Sequence, residues 1–111
     1  MKNGLITDSN GTKCWYENDQ LHRLDGPARE WSNGDKEWWV NGKRHRVGGP
    51  AAEYNEAKYW YQNNLLHRID GPAAEVFSGY KAWYIDGLRH NDQGPAVIHS
   101  NGTVEYYLLG K

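Results

Sequence analysis

His22-Arg23-Leu24-Asp25-Gly26-Pro27-Ala28 returns almost unchanged as His67-Arg68-Ile69-Asp70-Gly71-Pro72-Ala73, and in weaker form at His45 to Ala51 and His90 to Ala96. The glycines of the four Gly-Pro-Ala steps stand at 26, 49, 71 and 94, which are spacings of 23, 22 and 23 residues. A fixed period of this size describes one small supersecondary unit stacked on copies of itself. Stacks of this kind present extended binding surfaces, so the repeat points to a scaffold that binds rather than to an enclosed reaction centre.

A second feature runs in phase with the first. An aromatic pair opens each unit at Trp15-Tyr16, Trp38-Trp39, Trp60-Tyr61 and Trp83-Tyr84, and Tyr106-Tyr107 opens a closing half-unit. Each Trp lies 11 residues before the glycine of its own Gly-Pro-Ala step. Six Trp and eight Tyr stand against a single Met, and aromatic side chains bury enough area to carry a thin core that aliphatic residues would otherwise fill. The one-residue deletion in the second copy falls within Tyr54 to Tyr59, in a turn.

Turn chemistry fixes the elements. Asn41-Gly42 and Asp86-Gly87, with Asn18-Asp19 and Asn63-Asn64 in the matching places, accept positive φ at both centres of a type I′ turn. Asn33-Gly34, Ser78-Gly79 and Asn101-Gly102 supply a second reversal in each unit. Proline removes a ladder donor, so Gly49-Pro50 and its equivalents predict a kinked or crossing leg. The expected fold is all-β: a repetitive antiparallel β-hairpin meander of about four 22–23-residue units plus a closing half-unit. Residues 1–11 are set apart as an N-terminal segment, and 12–111 form a single repeat domain. Neighbours on a strand face opposite sides, so the first aromatics form one column and Tyr16, Trp39, Tyr61, Tyr84 and Tyr107 another. One column is expected to form the dry core beneath the Gly-Pro-Ala leg. Sequence leaves open which one.

Charge narrows the partners. Thirteen basic side chains face fourteen acidic ones, without a run of either sign to advertise a polyanion or an acidic membrane. No stretch is apolar and long enough to span a bilayer, and Met1 to Asp8 lacks the apolar core of a signal peptide. The single cysteine, Cys14, cannot form an internal disulfide and fits a reducing, cytoplasmic setting. Asn10-Gly11-Thr12 and Asn101-Gly102-Thr103 then read as turns rather than glycosylation sites.

The recurrent polar residues have two readings each. His22, His45, His67 and His90 lie one hairpin apart, roughly 10 Å at a strand spacing of ~4.8 Å. That is too far to share one metal ion, and they are expected to be hydrogen-bonding spacers. Arg23 and Arg68 stand two before Asp25 and Asp70 and are placed to pair with them. The other reading makes the arginines a row interleaved with tyrosines that stacks on bases or binds phosphate. Glu30, Glu53 and Glu75 against Lys13, Lys36, Lys58 and Lys81 suggest a cross-strand charge ladder on solvated surface. No carboxylate is singled out by its position, and no nucleophile elbow, phosphate loop or metal-spaced set is found. No catalytic residue, metal or cofactor is therefore expected.

At Asn41-Gly42-Lys43-Arg44-His45 the chain resembles a MORN repeat, the membrane occupation and recognition nexus hairpin, and the resemblance spans Thr12 to Lys111. The chain departs from that family where a Gly-x-Gly pair gives way to His-Arg-x-Asp-Gly-Pro-Ala and the return leg lengthens. It is similar in this to repeats of small phage and large-virus proteins. The resemblance implies an elongated hairpin stack, with protein partners, self-association or anionic lipids as ligands. For a viral chain it implies an inhibitor or adaptor acting on a host protein in the host cytoplasm. The leading expectation is a non-enzymatic protein-interaction module whose face comprises Tyr16, Trp39, Tyr61, Tyr84, Arg23, Arg46 and Arg68, since Trp, Tyr and Arg are enriched at hot spots. A binder of a small nucleotide or single-stranded nucleic acid through stacked aromatic and Arg side chains is the alternative, disfavoured by the net charge of −1. A self-assembling structural protein, a homodimer joined through the unpaired edge of the closing half-unit, Thr103 to Lys111, or through the spare aromatic column, is the other.

Overall fold

The turns decide the architecture. In the computed structural model, which describes the whole chain from residue 1 to 111, Asn18-Asp19, Asn41-Gly42, Asn63-Asn64 and Asp86-Gly87 all have φ between 49° and 81°. This is the type I′ geometry expected from their chemistry, and its twist suits a tight antiparallel hairpin.

The strands are short. The first unit and what precedes it give β1 (Gly4–Thr7), β2 (Lys13–Glu17), β3 (Gln20–Leu21) and β4 (Arg29–Glu30). The second gives β5 (Lys36–Glu37), β6 (Trp39–Val40), β7 (Lys43–Arg44) and β8 (Ala52–Tyr54). The third gives β9 (Ala57–Tyr59), β10 (Tyr61–Gln62), β11 (Leu65–Leu66) and β12 (Ala74–Val76). The fourth and the half-unit give β13 (Lys81–Ala82), β14 (Tyr84–Ile85), β15 (Leu88–Arg89), β16 (Val97–Ile98) and β17 (Val104–Glu105). There is no helix, and hence none long and apolar enough to cross a membrane.

Two layers result. A broad antiparallel sheet runs β1-β2-β4-β5-β8-β9-β12-β13-β16-β17, while β2–β3, β6–β7, β10–β11 and β14–β15 form a row of hairpins beside it. Each Trp is the corner between them. Its N–H donates to the alanine carbonyl of the broad sheet, as Trp38 to Ala51 at 2.7 Å and Trp60 to Ala73 at 2.8 Å. Its C=O accepts from the histidine N–H of its hairpin, at 3.1 Å from His45 and 2.9 Å from His67. Adjacent hairpins are stitched by backbone bonds such as Arg46 N–H to Tyr61 O at 3.1 Å and Asn64 N–H to Arg44 O at 2.8 Å. The stack is elongated, 45 × 24 × 19 Å.

The core corrects one expectation. Neither aromatic column is dry. Ala28, Ala51, Ala73 and Ala96 are the residues fully shielded at the corner between layers, at 0 % exposure. The Gly-Pro-Ala leg presses so close to the Trp corner that only a methyl group fits, while the large rings cover it from both sides, half-buried. Ala74, Ala82 and Val97 extend this core under Tyr59, Tyr80, Tyr84 and Tyr107. On the other face of the broad sheet Lys and Glu alternate, with Lys36 opposite Glu53, Glu53 opposite Lys58 and Lys58 opposite Glu75, the ladder that the spacing predicts.

The N-terminal segment joins the sheet. β1 pairs with β2 from Gly4↔Tyr16 to Thr7↔Lys13, and the Asn3 side-chain oxygen accepts from Asn18 N–H at 2.9 Å.

Candidate functional site

Each His-Arg-x-Asp-Gly-Pro-Ala segment is a loop joining hairpin to broad sheet, and its first two residues are spent on structure. The histidine Nδ1 accepts a backbone N–H from the next hairpin's turn: Asn41 on His22, Asn63 on His45, Asp86 on His67 and Leu109 on His90, each at 3.0 Å. The spacer expected from the sequence is thus a latch between neighbouring units, and its acceptor role places the ring proton on Nε2.

The arginine folds back over the Trp of its own unit. The guanidinium carbon lies 4.0 Å from the Trp15 ring centre for Arg23, 3.8 Å from Trp38 for Arg46 and 3.9 Å from Trp60 for Arg68. Nη1 then donates to the Pro27, Pro50 and Pro72 carbonyls at 3.1, 3.0 and 3.1 Å. Arg23 pairs with Asp25, and Arg68 with Asp70, at 3.1 Å, as expected; Arg46, which faces Gly48 instead, pairs with Glu53 at 3.3 Å. The glycine leaves room for this lid. A Cβ at Gly26, Gly49 or Gly71 would stand 3.0, 2.9 or 2.8 Å from the guanidinium carbon.

What the loop leaves outside is the third residue. Leu24 is 80 % exposed, Val47 76 % and Ile69 84 %; the fourth copy carries the exposed Asp92 there. The three aliphatic side chains form a row along the stack. Between successive loops lie open clefts, one of about 370 Å³ lined by Arg46, Trp60, Arg68, Ile69 and Asp70 among others. A second, between the first two loops, has Trp38 as one wall and Leu24 and Val47 among its lining.

The seven residues singled out from the sequence do not form one surface. Arg23, Arg46 and Arg68 lie with the first aromatic column. Tyr16, Trp39, Tyr61 and Tyr84 point to the other side of the same strands. The guanidinium groups that stand between aromatics of that second column are Arg44, 5.1 Å from Trp39 and 5.3 Å from Tyr61, and Arg89, whose Nη1 donates to the Tyr107 hydroxyl at 3.2 Å. The same face holds a carboxylate that sequence reasoning passed over. Glu37 is 3 % exposed and accepts from Trp39 Nε1 at 2.8 Å and from the Tyr54 hydroxyl at 2.5 Å. Arg29 and Arg44 flank it at 3.6 and 4.0 Å. Burial, and then the bond to Glu37, push the Tyr54 phenol well above its ordinary range. Its signal was available: Glu37 lies two residues before Trp39, hence on the inward face, where other copies carry Cys14, Tyr59 and Ala82.

Comparison of the chain with protein-family models, with curated proteins and with solved structures gives no match.

Proposed function

We propose that this protein is a non-enzymatic interaction module that receives an extended segment of a partner protein along its loop row. The observation that carries the reading is the exposure of Leu24, Val47 and Ile69 at one loop position in successive units. Stacking and latching occupy the rest of each loop, so the fold makes no use of these side chains, and aligned apolar groups left in water mark contact surfaces. The open clefts between loops would take side chains of the bound segment. The likeness to viral MORN-type repeats makes a host protein the partner, with the chain as its inhibitor or adaptor. The nucleotide reading has less support, because Arg23, Arg46 and Arg68 are committed to rings, carbonyls and carboxylates.

The test compares the tagged protein with its Leu24→Ser/Val47→Ser/Ile69→Ser variant in capture from bacterial lysate. A stoichiometric protein held by the first and lost by the second, at unchanged melting temperature, is expected. Equal capture by both removes the loop row from the function.

A further inference from the structure

The repeat fixes how far apart the contacts of the loop row stand. Each unit adds two strands to the broad sheet, so at ~4.8 Å per strand successive loops advance roughly 9.6 Å. The path of strands from β1 to β17 fills the 45 Å length of the stack at that spacing. Few backbones keep step with it. Alternate side chains of a β-strand lie ~6.6 Å apart, and its third residue on, at ~10 Å, faces the other way. Two turns of α-helix advance ~10.8 Å, an overshoot that doubles by the third contact. A polyproline II segment has three residues per turn and a rise of ~3.1 Å, so every third side chain returns to one face after ~9.3 Å. The clefts suit its backbone as well. Trp38 walls one and Trp60 the other. Neither indole N–H is spent within the protein or sealed from water, since Arg44 Nε is the only buried side-chain nitrogen or oxygen without a partner. A polyproline II backbone leaves its carbonyls free to accept such donors, whereas an α-helix spends its own. The outermost charges of the row are carboxylates. Asp25 and Asp70 have side chains 87 % exposed, while those of Arg23, Arg46 and Arg68 beneath are 23–32 % exposed.

We propose that the loop row binds a proline-rich segment of the partner in the polyproline II conformation, apolar at every third position and basic between. Every third side chain lodges between loops, beside Leu24, Val47 and Ile69 in turn. The indole N–H groups of Trp38 and Trp60 donate to its carbonyls, the mode in which aromatic grooves take such segments. Proline presets φ, so little freedom is lost when the segment docks. Basic residues meet Asp25 and Asp70, and an acidic segment is repelled. The inference rests on the loop-row reading and adds the conformation, the three-residue period and the charge of what is bound.

The intact protein is titrated with three blocked nonapeptides. The first repeats Leu-Pro-Arg three times. The second has the same composition reordered as Leu-Arg-Leu-Arg-Leu-Arg-Pro-Pro-Pro, which sets leucine at every second position. The third repeats Leu-Pro-Glu. The indole N–H resonances of Trp38 and Trp60, assigned by Trp38→Phe and Trp60→Phe, are followed. The Leu-Pro-Arg peptide is expected to move both saturably, and each of the others to bind at least roughly tenfold more weakly, since a leucine or the charge match is lost. Val47→Ser, at the exposed middle of the row, is expected to weaken the first peptide as much without changing the melting temperature. Phe77→Ser, at an apolar residue 89 % exposed outside the row, is expected to leave it unchanged. Equal binding by the reordered or the acidic peptide, or equal effects of the two serine variants, overturns the proposal. The two readings fail separately. Partner capture that is lost in the Leu24/Val47/Ile69 variant, with no preference for the Leu-Pro-Arg peptide, keeps the loop row and removes the polyproline II segment.

Discussion

Alanine at 28, 51, 73 and 96 is fully shielded where the proline-kinked leg crosses the Trp corner. Overpacking such a site displaces backbone on both sides, so Ala73→Leu is expected to cost about 1–3 kcal/mol in urea unfolding. An equal loss from a mutation at the exposed Ile69 would contradict that placement. The arginine lids are weaker but more specific. Arg68→Ala removes a stacked cation and a hydrogen bond to Pro72 and is expected to cost about 1–2 kcal/mol. Arg68→Lys should recover little of it, because an ammonium cannot stack on Trp60 and bond the carbonyl in one plane. Glu37 is the largest single polar commitment. Replacing it with alanine leaves Arg29 and Arg44 facing a void and strands the Tyr54 hydroxyl, an expected loss of about 3–5 kcal/mol by thermal unfolding. Tyr54→Phe, which removes one bond and leaves the carboxylate paired with both arginines, is expected to lose about 1 kcal/mol.

Hairpins are joined at the element scale by one repeated device. Four histidines hold the next turn by its N–H, and Asn3 does the same for the first hairpin with its side-chain oxygen, which stands where an imidazole Nδ1 would. His67→Ala is therefore expected to cost about 1 kcal/mol in chemical unfolding, and His67→Asn to restore most of it. An Asn variant no better than Ala would mean that the ring packs rather than latches. The closing half-unit depends on acid differently. Glu105 accepts a short bond from His99 and another from Tyr107 at 2.6 and 2.7 Å. The His99 bond first, and the Tyr107 bond second, hold its carboxyl below its ordinary value of 4.5. A lowered folded pKa contributes stability that is present above the unfolded value and lost as pH falls through the folded one. Protection of β17 amides is thus expected to be constant from neutral pH down to about 4.5 and to fall below it, with Glu105→Gln removing the dependence.

Across the whole molecule each unit touches only its neighbours, so stability should be graded along the stack rather than shared. Amide exchange is expected to be slowest at the Trp38, Trp60 and Trp83 corners and fastest in β1, whose residues are all exposed. Uniform protection would argue for one cooperative block. The antiparallel hairpin meander, its type I′ turns and its proline kinks were legible because each rests on local chemistry: Asn-Gly accepts positive φ, and proline lacks a donor. The Arg23–Asp25 and Arg68–Asp70 pairs were legible for the same reason, lying two residues apart. The histidine latches were half legible. Their period marked a structural role, but the partner sits 18 or 19 residues on in another hairpin. Sequence alone could not say that alanines rather than aromatics are the dry core, since dryness depends on how closely two layers approach. It could not find the buried Glu37, whose donors Trp39 and Tyr54 converge only when strands pair. Nor could it separate Arg23, Arg46 and Arg68 from Tyr16, Trp39, Tyr61 and Tyr84. Local chemistry set the turns and the repeat; the corner at each Trp, a tertiary feature, decided which side chains the layers enclose and which they leave exposed.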